Sequence, residues 1–189
     1  MTEREYPKPS LTADVVAFSL DENERLSVLL ILRGHDPFAG RWAIPGGFSE
    51  PQETVEQSAA RELVEETGIT GLSLEELGVF SRPGRDPRGW VVSVAHIAIL
   101  PAARRKEAHG SDDATEAKFF VITEENGVLN LHNEGKAAGP LAFDHDEILQ
   151  RAIKRFKERA SFFIPELFGR AMSAPEIQES LERLLSPTR

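Results

Sequence analysis

The sequence predicts a mixed α/β (α+β) fold, in which one β-sheet packs between helices. Two observations support this prediction. Runs rich in β-branched and aliphatic residues recur along the chain, as strands require, and two amphipathic runs have helical periodicity. The 189 residues suffice for one domain with a sizeable core and a small C-terminal addition, and they contain no internal repeat.

The strand-like runs lie on both sides of the first helical run. The first two are joined by a polar DENE turn and predict a hairpin. The fourth is strongly apolar, as expected for a central strand, and the third is a short strand or an irregular edge. The predicted strands are 11–20, 25–33, 72–80, 90–100 and 117–122.

The remaining segments divide into loops and helices. Residues 34–47 and 81–89 are punctuated by Gly and Pro and predict loops, and the polar stretch 101–116 predicts a mobile loop. Residues 123–140 are interpreted as a long excursion, a segment that leaves the fold and is disordered at its tip. The C-terminal helices are predicted at 143–160 and 175–185.

Composition and charge restrict the classes of function. The chain has no cysteine, which excludes disulfides and thiolate metal sites and agrees with a cytoplasmic protein. No stretch is long and apolar enough to cross a membrane, and the N-terminus lacks the apolar core of a signal peptide. The net charge of −9 disfavours generic nucleic-acid binding, although divalent cations can join carboxylates to a phosphate ligand.

The stretch GGFSEPQETVEQSAARELVEETGI, residues 46–69, predicts a short helix with many glutamates. Thr54 is a good N-cap, and Gln57 completes a capping box. Gly68 stands where a left-handed C-cap belongs. The expected buried stripe consists of Val55, Ala59 and Leu63.

Three carboxylates crowd one side of this helix, at Glu62, Glu65 and Glu66. Like charges one turn apart cost a few tenths of a kcal/mol, and acids near the C-terminal end oppose the helix dipole. A divalent cation would remove both penalties, because carboxylate oxygens are its preferred ligands. The alternative is a solvated acidic face that Arg61 partly neutralises.

The spacing of the fixed residues decides between these interpretations. Gly47 is followed after five residues by Glu53 and after seven more by the run RELVEETGI, residues 61–69. This pattern matches the Nudix box at every defined position, and the chain therefore resembles the Nudix hydrolases. The resemblance implies a Nudix-type α/β/α sandwich with a mixed sheet and a loop–helix–loop site for Mg²⁺, or Mn²⁺. It also implies hydrolysis of a nucleoside diphosphate linked to another group.

The resemblance assigns roles to the residues that match the box. Glu53 and Arg61 are expected to support the catalytic site, and Gly47 permits the tight turn before the helix. The bound metals neutralise the phosphoanhydride and activate water, so no serine or cysteine nucleophile is required. The expected metal ligands are Glu62, Glu65, Glu66 and the backbone carbonyl of Gly46.

Segments outside the box, within residues 6–160, resemble the ADP-ribose pyrophosphatase-like branch. Pro83, fifteen residues past Gly68, fits a proline that members acting on ADP-ribose often carry. The resemblance implies hydrolysis of ADP-ribose to AMP and ribose 5-phosphate by a homodimer. It leaves NADH, a nucleotide sugar, phosphoribosyl pyrophosphate and an oxidised nucleoside triphosphate open as substrates.

The loop SRPGRDPRG contains Arg82, Arg85 and Arg88, whose guanidinium groups suit phosphate and ribose oxygens. At least Arg85 or Arg88 is expected to face the substrate. The alternative is that one arginine pairs with Asp86 and the others are solvated.

The general base and the adenine platform are less constrained. Among the acids of GSDDATEAKFF, which include Asp112 and Asp113, Glu116 is the first choice for the base, with the box glutamates as alternatives. His145 is interpreted as a structural hydrogen-bonding residue. Aromatic residues that could stack on adenine are Phe38, Trp42 and Trp90, although Trp42 also fits a position in the core.

A runner-up function belongs to another class. The same branch includes transcriptional regulators that sense ADP-ribose and bind DNA through a C-terminal winged helix. Residues 1–160 are predicted to be the Nudix domain, and 161–189 a short helical tail that resembles a vestigial or truncated winged-helix start. Because this tail stops at Arg189 and the box is intact, the sequence favours an enzyme over a DNA-binding regulator.

Overall fold

A computed structural model of the protein describes residues 6–110 and 114–186. In these residues one sheet of nine strands is flanked by helices. The strands are β1 (Ser10–Leu20), β2 (Leu26–Arg33), β3 (Trp42–Ala43), β4 (Gly46–Phe48), β5 (Glu75–Phe80), β6 (Val91–Ile99), β7 (Ala114–Glu125), β8 (Val128–Asn133) and β9 (Lys136–Ala137). The helices are α1 (Val55–Thr67), α2 (His145–Glu158), α3 (Ala160–Phe168) and α4 (Ala174–Leu184).

The sheet is mixed, as predicted. Its order is β5-β6-β1-β2-β7-β8-β9, with β3 beside β2 and β4 beside β1. β1 and β6 run parallel, and the other paired strands are antiparallel. β1 thereby lies at the centre of the sheet, and its first half is held between β4 and β6.

Helices cover both faces of the sheet. Along β1, Val16 and Phe18 belong to the large core cluster that α2, α3 and α4 complete. Val15 and Ala17 belong to a second cluster, which includes Leu63 of α1. This alternation places α1 on one face and the C-terminal helices on the other, because successive side chains of a strand point to opposite faces. The predicted α/β/α sandwich is confirmed.

The expected excursion at 123–140 is wrong. These residues complete β7 and form β8 and β9, which extend the sheet. Asn126 and Gly127 both have positive φ, 51° and 79°, as a two-residue hairpin turn of the primed type requires. The Asn-Gly pair is therefore the turn of a β-hairpin.

Two further segments differ from the sequence prediction. The loop predicted at 101–116 contains a 3₁₀ helix, Ala102–Glu107, while Asp112 and Asp113 lie outside the described residues. Within the helical tail predicted at 161–189, the sequence also did not mark α3 as a separate helix, and this helix includes Pro165. Phe163 and Leu167 of α3 are buried in the same core cluster as β1 and α2.

The helices in residues 6–110 and 114–186 are all too short or too polar to cross a membrane.

Candidate active site

The ends of α1 form as its sequence predicts. The hydroxyl of Thr54 accepts a hydrogen bond from the Gln57 backbone at 3.2 Å, and the Gln57 side chain accepts one from the Thr54 backbone at 2.8 Å. Gly68 closes the helix with a φ of 73°. Ala59 and Leu63 of the expected stripe are buried, and Val55 is partly buried. These local contacts fix the direction in which the glutamates of α1 point.

A cavity of about 390 Å³ opens where the start of β1, the turn around β4, the helix α1 and the loop after β5 meet. It collects residues that are far apart in sequence, including the three predicted helix carboxylates. The ionisable lining residues are Asp14, Arg33, His35, Glu50, Arg61, Glu62, Glu65, Glu66, Arg85, Asp86, Arg88 and His145.

Glu66 is the most buried of the three helix glutamates, with 6% of the residue exposed. The pKa of its carboxyl group is raised to about 8, chiefly by burial. A hydrogen bond of 2.8 Å from the Gly46 backbone N–H lowers this pKa, and the nearby charges of Glu62 and Asp14 raise it. A buried carboxylate with this surplus of negative charge is held at an energetic cost. The interpretation as a solvated acidic face therefore fails for Glu66.

Glu62 and Glu65 share the guanidinium group of Arg61. One terminal nitrogen of Arg61 donates to Glu62 at 2.8 Å and to Glu65 at 2.9 Å. Burial raises the pKa of Glu62, although Arg61 opposes this effect. The other two guanidinium nitrogens bind Glu53, and these bonds lower the pKa of Glu53 to about 2. Arg61 thus ties the helix carboxylates to the loop before α1, in line with the supporting role expected for Arg61 and Glu53.

The two glycines before α1 are needed because side chains pack directly on them. A Cβ atom added to Gly47 would lie 2.5 Å from the carboxyl carbon of Glu62. Gly46 has a φ of 155°, and a Cβ atom there would lie 2.8 Å from Cα of Asp14. The structure shows the N–H of Gly46 bound to Glu66, and its carbonyl as a metal ligand stays a prediction.

The arginine loop, residues 81–90, combines parts of both sequence interpretations. Arg85 is buried and makes two hydrogen bonds to Asp144, of 2.9 Å and 2.6 Å. Arg88 lines the cavity, as expected for a substrate residue, yet it also binds Asp86, at 2.7 Å for the shortest contact. Burial alone would raise the pKa of Asp86, but the hydrogen bonds from Arg88 lower it below its usual value.

Aromatic rings hold Arg88 in place. Its guanidinium carbon lies 4.5 Å from the ring centre of Phe48 and 5.1 Å from that of Phe143. Arg82 differs, because its side chain is 61% exposed and it is not among the residues that line the cavity. Of the three predicted arginines, Arg88 is therefore the one whose side chain is both partly exposed and at the cavity.

Other predicted site residues lie outside the cavity. Glu116, the first choice for the base, pairs with Lys118 on the exposed part of β7. Trp42 packs edge-on against Phe120, with ring centres 4.7 Å apart, and forms part of the core wall. Phe38 reaches the cavity only indirectly, through its contact with a lining residue, Phe143. The structure does not bring these three residues together with the glutamates.

Asp14 is a cavity residue that the sequence analysis missed. It is 4% exposed, and the hydroxyl of Ser93 donates a hydrogen bond to it. The signal that could have found it is a lone acid in the apolar strand LTADVVAF, since an unpaired charge is costly to bury.

His145 is a hydrogen-bonding residue, as predicted, and it also lines the cavity. Its Nδ1 accepts a hydrogen bond of 2.9 Å from the backbone N–H of Ile44, so the proton of the neutral ring is on Nε2. Burial lowers the pKa of His145 below its usual value, which favours this neutral form.

The donors at the cavity suit a divalent cation in chemistry, since carboxylate oxygens are the ligands that Mg²⁺ and Mn²⁺ prefer. Their present arrangement is not a finished site. In the described part of the chain, no group of three or more His, Cys, Asp or Glu side chains is placed to hold a metal ion. Arg61 binds one oxygen each of Glu62 and Glu65, and the N–H of Gly46 binds one oxygen of Glu66, so a bound cation would share these carboxylates with the present donors or replace those donors.

Comparison with known proteins identifies the family. The model of the NUDIX domain matches residues 10–152, which include the cavity and all nine strands described above. The chain belongs to the NUDIX family. The predicted resemblance is confirmed, and the family match also includes α1 with its glutamates.

Two relatives of this NUDIX chain represent different functions. An ADP-ribose pyrophosphatase from Methanocaldococcus jannaschii is 39% identical over 147 residues, which are 78% of this chain and 75% of the relative. The ADPR responsive transcriptional repressor NtrR from Acinetobacter baylyi is 32% identical over 191 aligned positions, covering 96% of this chain and 68% of the repressor.

Solved structures share the NUDIX fold. A MutT/nudix family protein from Enterococcus faecalis has a TM-score of 0.86 and 34% identity, covering all of this chain and 78% of its own. The NUDIX domain of Shewanella oneidensis NrtR, complexed with ADP ribose, has a TM-score of 0.60 and 27% identity, with 80% and 90% of the two chains covered. These findings support the predicted enzyme class, a Nudix pyrophosphohydrolase, and this family generally uses divalent metals.

Proposed function

We propose that this NUDIX chain hydrolyses the pyrophosphate bond of ADP-ribose in the presence of Mg²⁺, with Mn²⁺ as a substitute, and releases AMP and ribose 5-phosphate. The observation that carries the proposal is the cavity whose lining combines the buried Glu66, its neighbour Glu62 and the guanidinium group of Arg88. The excess of carboxylates on α1 suits a cation, and the guanidinium group of Arg88 suits a pyrophosphate bound beside that cation.

Each part of the cavity lining has a distinct task in this proposal. Glu62, Glu65 and Glu66 would hold the cation, which when bound neutralises phosphate charge and makes a coordinated water more acidic. Arg61 keeps Glu53 and the loop before α1 in place while the other carboxylates exchange partners. Arg88 donates hydrogen bonds to phosphate or ribose oxygens from between its two aromatic neighbours.

The base that removes the proton from water comes from an acid near the cavity. Glu116 stays a proposal for this role, and it would have to leave Lys118 and reach the cavity from β7. The box glutamates already line the cavity and need no such movement. They are therefore the simpler source of the base.

The names of the relatives support ADP-ribose as the substrate. The Methanocaldococcus relative is an ADP-ribose pyrophosphatase, and the structure of the Shewanella NUDIX domain contains ADP ribose. NADH, nucleotide sugars, phosphoribosyl pyrophosphate and oxidised nucleoside triphosphates present the same pyrophosphate unit and are the competing substrates.

An ADP-ribose-responsive regulator is the second candidate. The Acinetobacter repressor matches 96% of this chain, and Shewanella NrtR, at a TM-score of 0.61, was solved with a 27mer DNA. Both candidates bind the same kind of ligand, but only the enzyme turns it over. The presence of all three glutamates Glu62, Glu65 and Glu66 at the cavity supports the enzyme.

Two further parts of the proposal concern the state of the protein. We propose a homodimer, and a location in the cytoplasm, which the absence of cysteine supports. Because the protein is acidic, with a net charge of −9, we do not expect it to bind nucleic acid non-specifically.

The deciding experiment is hydrolysis of ADP-ribose by the purified full-length chain with and without Mg²⁺, with AMP followed by chromatography. We expect release of AMP that depends on the metal. Glu66→Gln should fold and lose at least about 100-fold in turnover, since even indirect disturbance of metal ligands costs 10- to 100-fold. Glu56→Gln, the same change on an exposed position of α1, should retain activity.

The other outcomes separate the alternatives. Saturable binding of ADP-ribose without release of AMP would indicate the regulator. Neither binding nor release would indicate a different substrate of the same family. Full activity in Glu66→Gln would contradict the assignment of the site.

A further inference from the structure

Asp14 lines the same cavity as the box glutamates but comes from the sheet and not from α1. It is in the central strand β1, where its Cα atom is paired with Gly46 of β4 on one side and with Ala95 of β6 on the other. Backbone pairing on both sides makes this one of the most firmly positioned parts of the cavity. A carboxylate at this point is presented to the cavity by the sheet rather than by a loop.

One oxygen of Asp14 has no hydrogen-bond partner in the part of the chain that the structure describes. The hydroxyl of Ser93 donates to Oδ2. Among the described residues, Oδ1 has no hydrogen bond, and the nearby Nε2 of His145 is 3.9 Å away, which is beyond hydrogen-bond range. Asp14 lines the cavity, and only 4% of the residue is exposed. Buried carboxylates in this situation are usually paired with a cation or a metal.

The unpaired oxygen lies beside the predicted metal ligands. The same residue, Gly46, donates its N–H to Glu66 and is close enough to Asp14 that an added Cβ atom would lie 2.5 Å from Oδ1. The charge of Asp14 acts on both Glu62 and Glu66, so the three carboxylates lie within electrostatic reach of one another. Arg61, which neutralises Glu62, has no contact with Asp14 in the described residues.

We propose that Asp14 supplies a further carboxylate oxygen to the divalent cation site, from the sheet side of the cavity and outside the box motif. The inference rests on the proposed function, because it requires the box glutamates to bind a cation. It explains why an acid is kept in an apolar strand with one oxygen free of hydrogen bonds. It also gives the cation a fixed ligand while Glu62 and Glu65 exchange Arg61 for the metal.

A purely structural role is the competing explanation, in which Asp14 serves only to accept the Ser93 hydrogen bond. Asp14→Asn separates the two roles, because asparagine keeps the shape and still accepts that bond but loses the charge. Asp86→Asn is the matched control, since it also removes a buried charge from the lining of the cavity, at a residue bound to Arg88. Glu66→Gln is the reference for loss of a box ligand.

The measurement is the Kd of Mn²⁺ for each full-length variant without substrate, by electron paramagnetic resonance or calorimetry. We expect Asp14→Asn to bind Mn²⁺ at least about tenfold more weakly than Asp86→Asn, as for loss of a group that supports a metal. Equal affinity in these two variants, with weakened binding in Glu66→Gln, would overturn the inference and leave the proposed function intact.

Two other outcomes are also decisive. If the wild type binds no Mn²⁺, or if Glu66→Gln binds it as the wild type does, the proposed metal site fails and the inference fails with it. Should Asp14→Asn not fold, Asp14→Glu keeps the charge and displaces the oxygen by one methylene group. An unchanged Mn²⁺ Kd in Asp14→Glu would then contradict the proposal.

Discussion

Two parts of the cavity lining hold their charges in opposite ways. The helix wall consists of Arg61 and the glutamates of α1, and the loop wall consists of Arg85, Asp86 and Arg88. On the helix wall, Arg61 is shared among Glu53, Glu62 and Glu65. On the loop wall, Arg85 is paired with Asp144 and Arg88 with Asp86, and the pair of Arg85 with Asp144 is buried, with 4% and 3% of the side chains exposed. The helix wall therefore has more carboxylates than guanidinium groups, whereas the loop wall is balanced in charge.

This difference separates a site for a ligand from a support for it. Shared, partly exposed ion pairs can exchange partners at low cost, and a surplus of carboxylates attracts a cation. A buried pair with two hydrogen bonds cannot be opened cheaply, because each ion would be left desolvated and alone. The helix wall is therefore suited to binding and exchange, and the loop wall to holding Arg88 at a fixed position.

The largest effect is expected from breaking the balanced wall. Arg85→Ala leaves Asp144 buried without its partner and should lower the free energy of unfolding by about 3–5 kcal/mol. Arg170→Ala removes an exposed pair with Glu176 and should cost no more than about 1 kcal/mol. Urea unfolding of both variants measures the difference, and similar losses would show that the loop wall is not held by this pair.

The surplus charge of the helix wall should make stability depend on pH when no metal is present. The folded state holds a proton on Glu66 up to a pKa of about 8, whereas the unfolded chain releases it near 4.5. The folded state thus binds more protons between these values, so stability falls as the pH rises from about 4.5 to about 8 and levels off above. The greatest slope that one proton gives is about 1.4 kcal/mol per pH unit.

Glu66→Gln isolates this contribution, because every other titrating group is shared with the wild type. In buffers with a chelator, the variant should gain stability relative to the wild type as the pH rises through this window. Added Mg²⁺ should reduce the difference, since a cation compensates the buried carboxylate of the wild type. Thermal unfolding of both proteins at several pH values is the measurement, and parallel curves would contradict a raised pKa at Glu66.

A smaller effect is expected from substitution of Arg88, which the loop wall holds in place. Arg88→Ala should raise the KM for the substrate about tenfold with a lesser change in kcat, as for loss of one hydrogen bond to a charged group. Arg82→Ala, on the same loop but outside the cavity, should leave KM unchanged. Steady-state kinetics with ADP-ribose tests the pair, and equal effects at both positions would count against a specific role for Arg88.

The helix wall could be predicted from the sequence because its determinants are local. The cap at Thr54, the stop at Gly68 and the spacing of the glutamates all act within one helix and its flanking turns. The central strands could be predicted for a similar reason, since their apolar runs are continuous. The hairpin of β7 and β8 was missed because Asn126 and Gly127 serve a tight turn as well as an open loop.

The loop wall and the positions of His145 and Asp14 at the cavity could not be predicted in this way. Arg85 meets Asp144 across 59 residues of chain, and His145 meets the backbone of Ile44 across 101 residues. No local pattern specifies such partners, because they are brought together by the packing of α2 against the sheet. The burial of Asp14 likewise depends on β4 and β6, which pair with β1 from distant parts of the chain.

The way the sheet ends has a consequence for assembly. Of the strands that the structure describes, the outermost are β5, whose pairing is interrupted by a bulge between Glu76 and Gly78, and β9, which has only two residues, both exposed. Such edges offer another chain little backbone to hydrogen-bond, which protects long apolar strands like β1 and β6 from edge-to-edge aggregation. We therefore expect the proposed homodimer to form through contacts between side chains and not by pairing β5 or β9 across the two protomers.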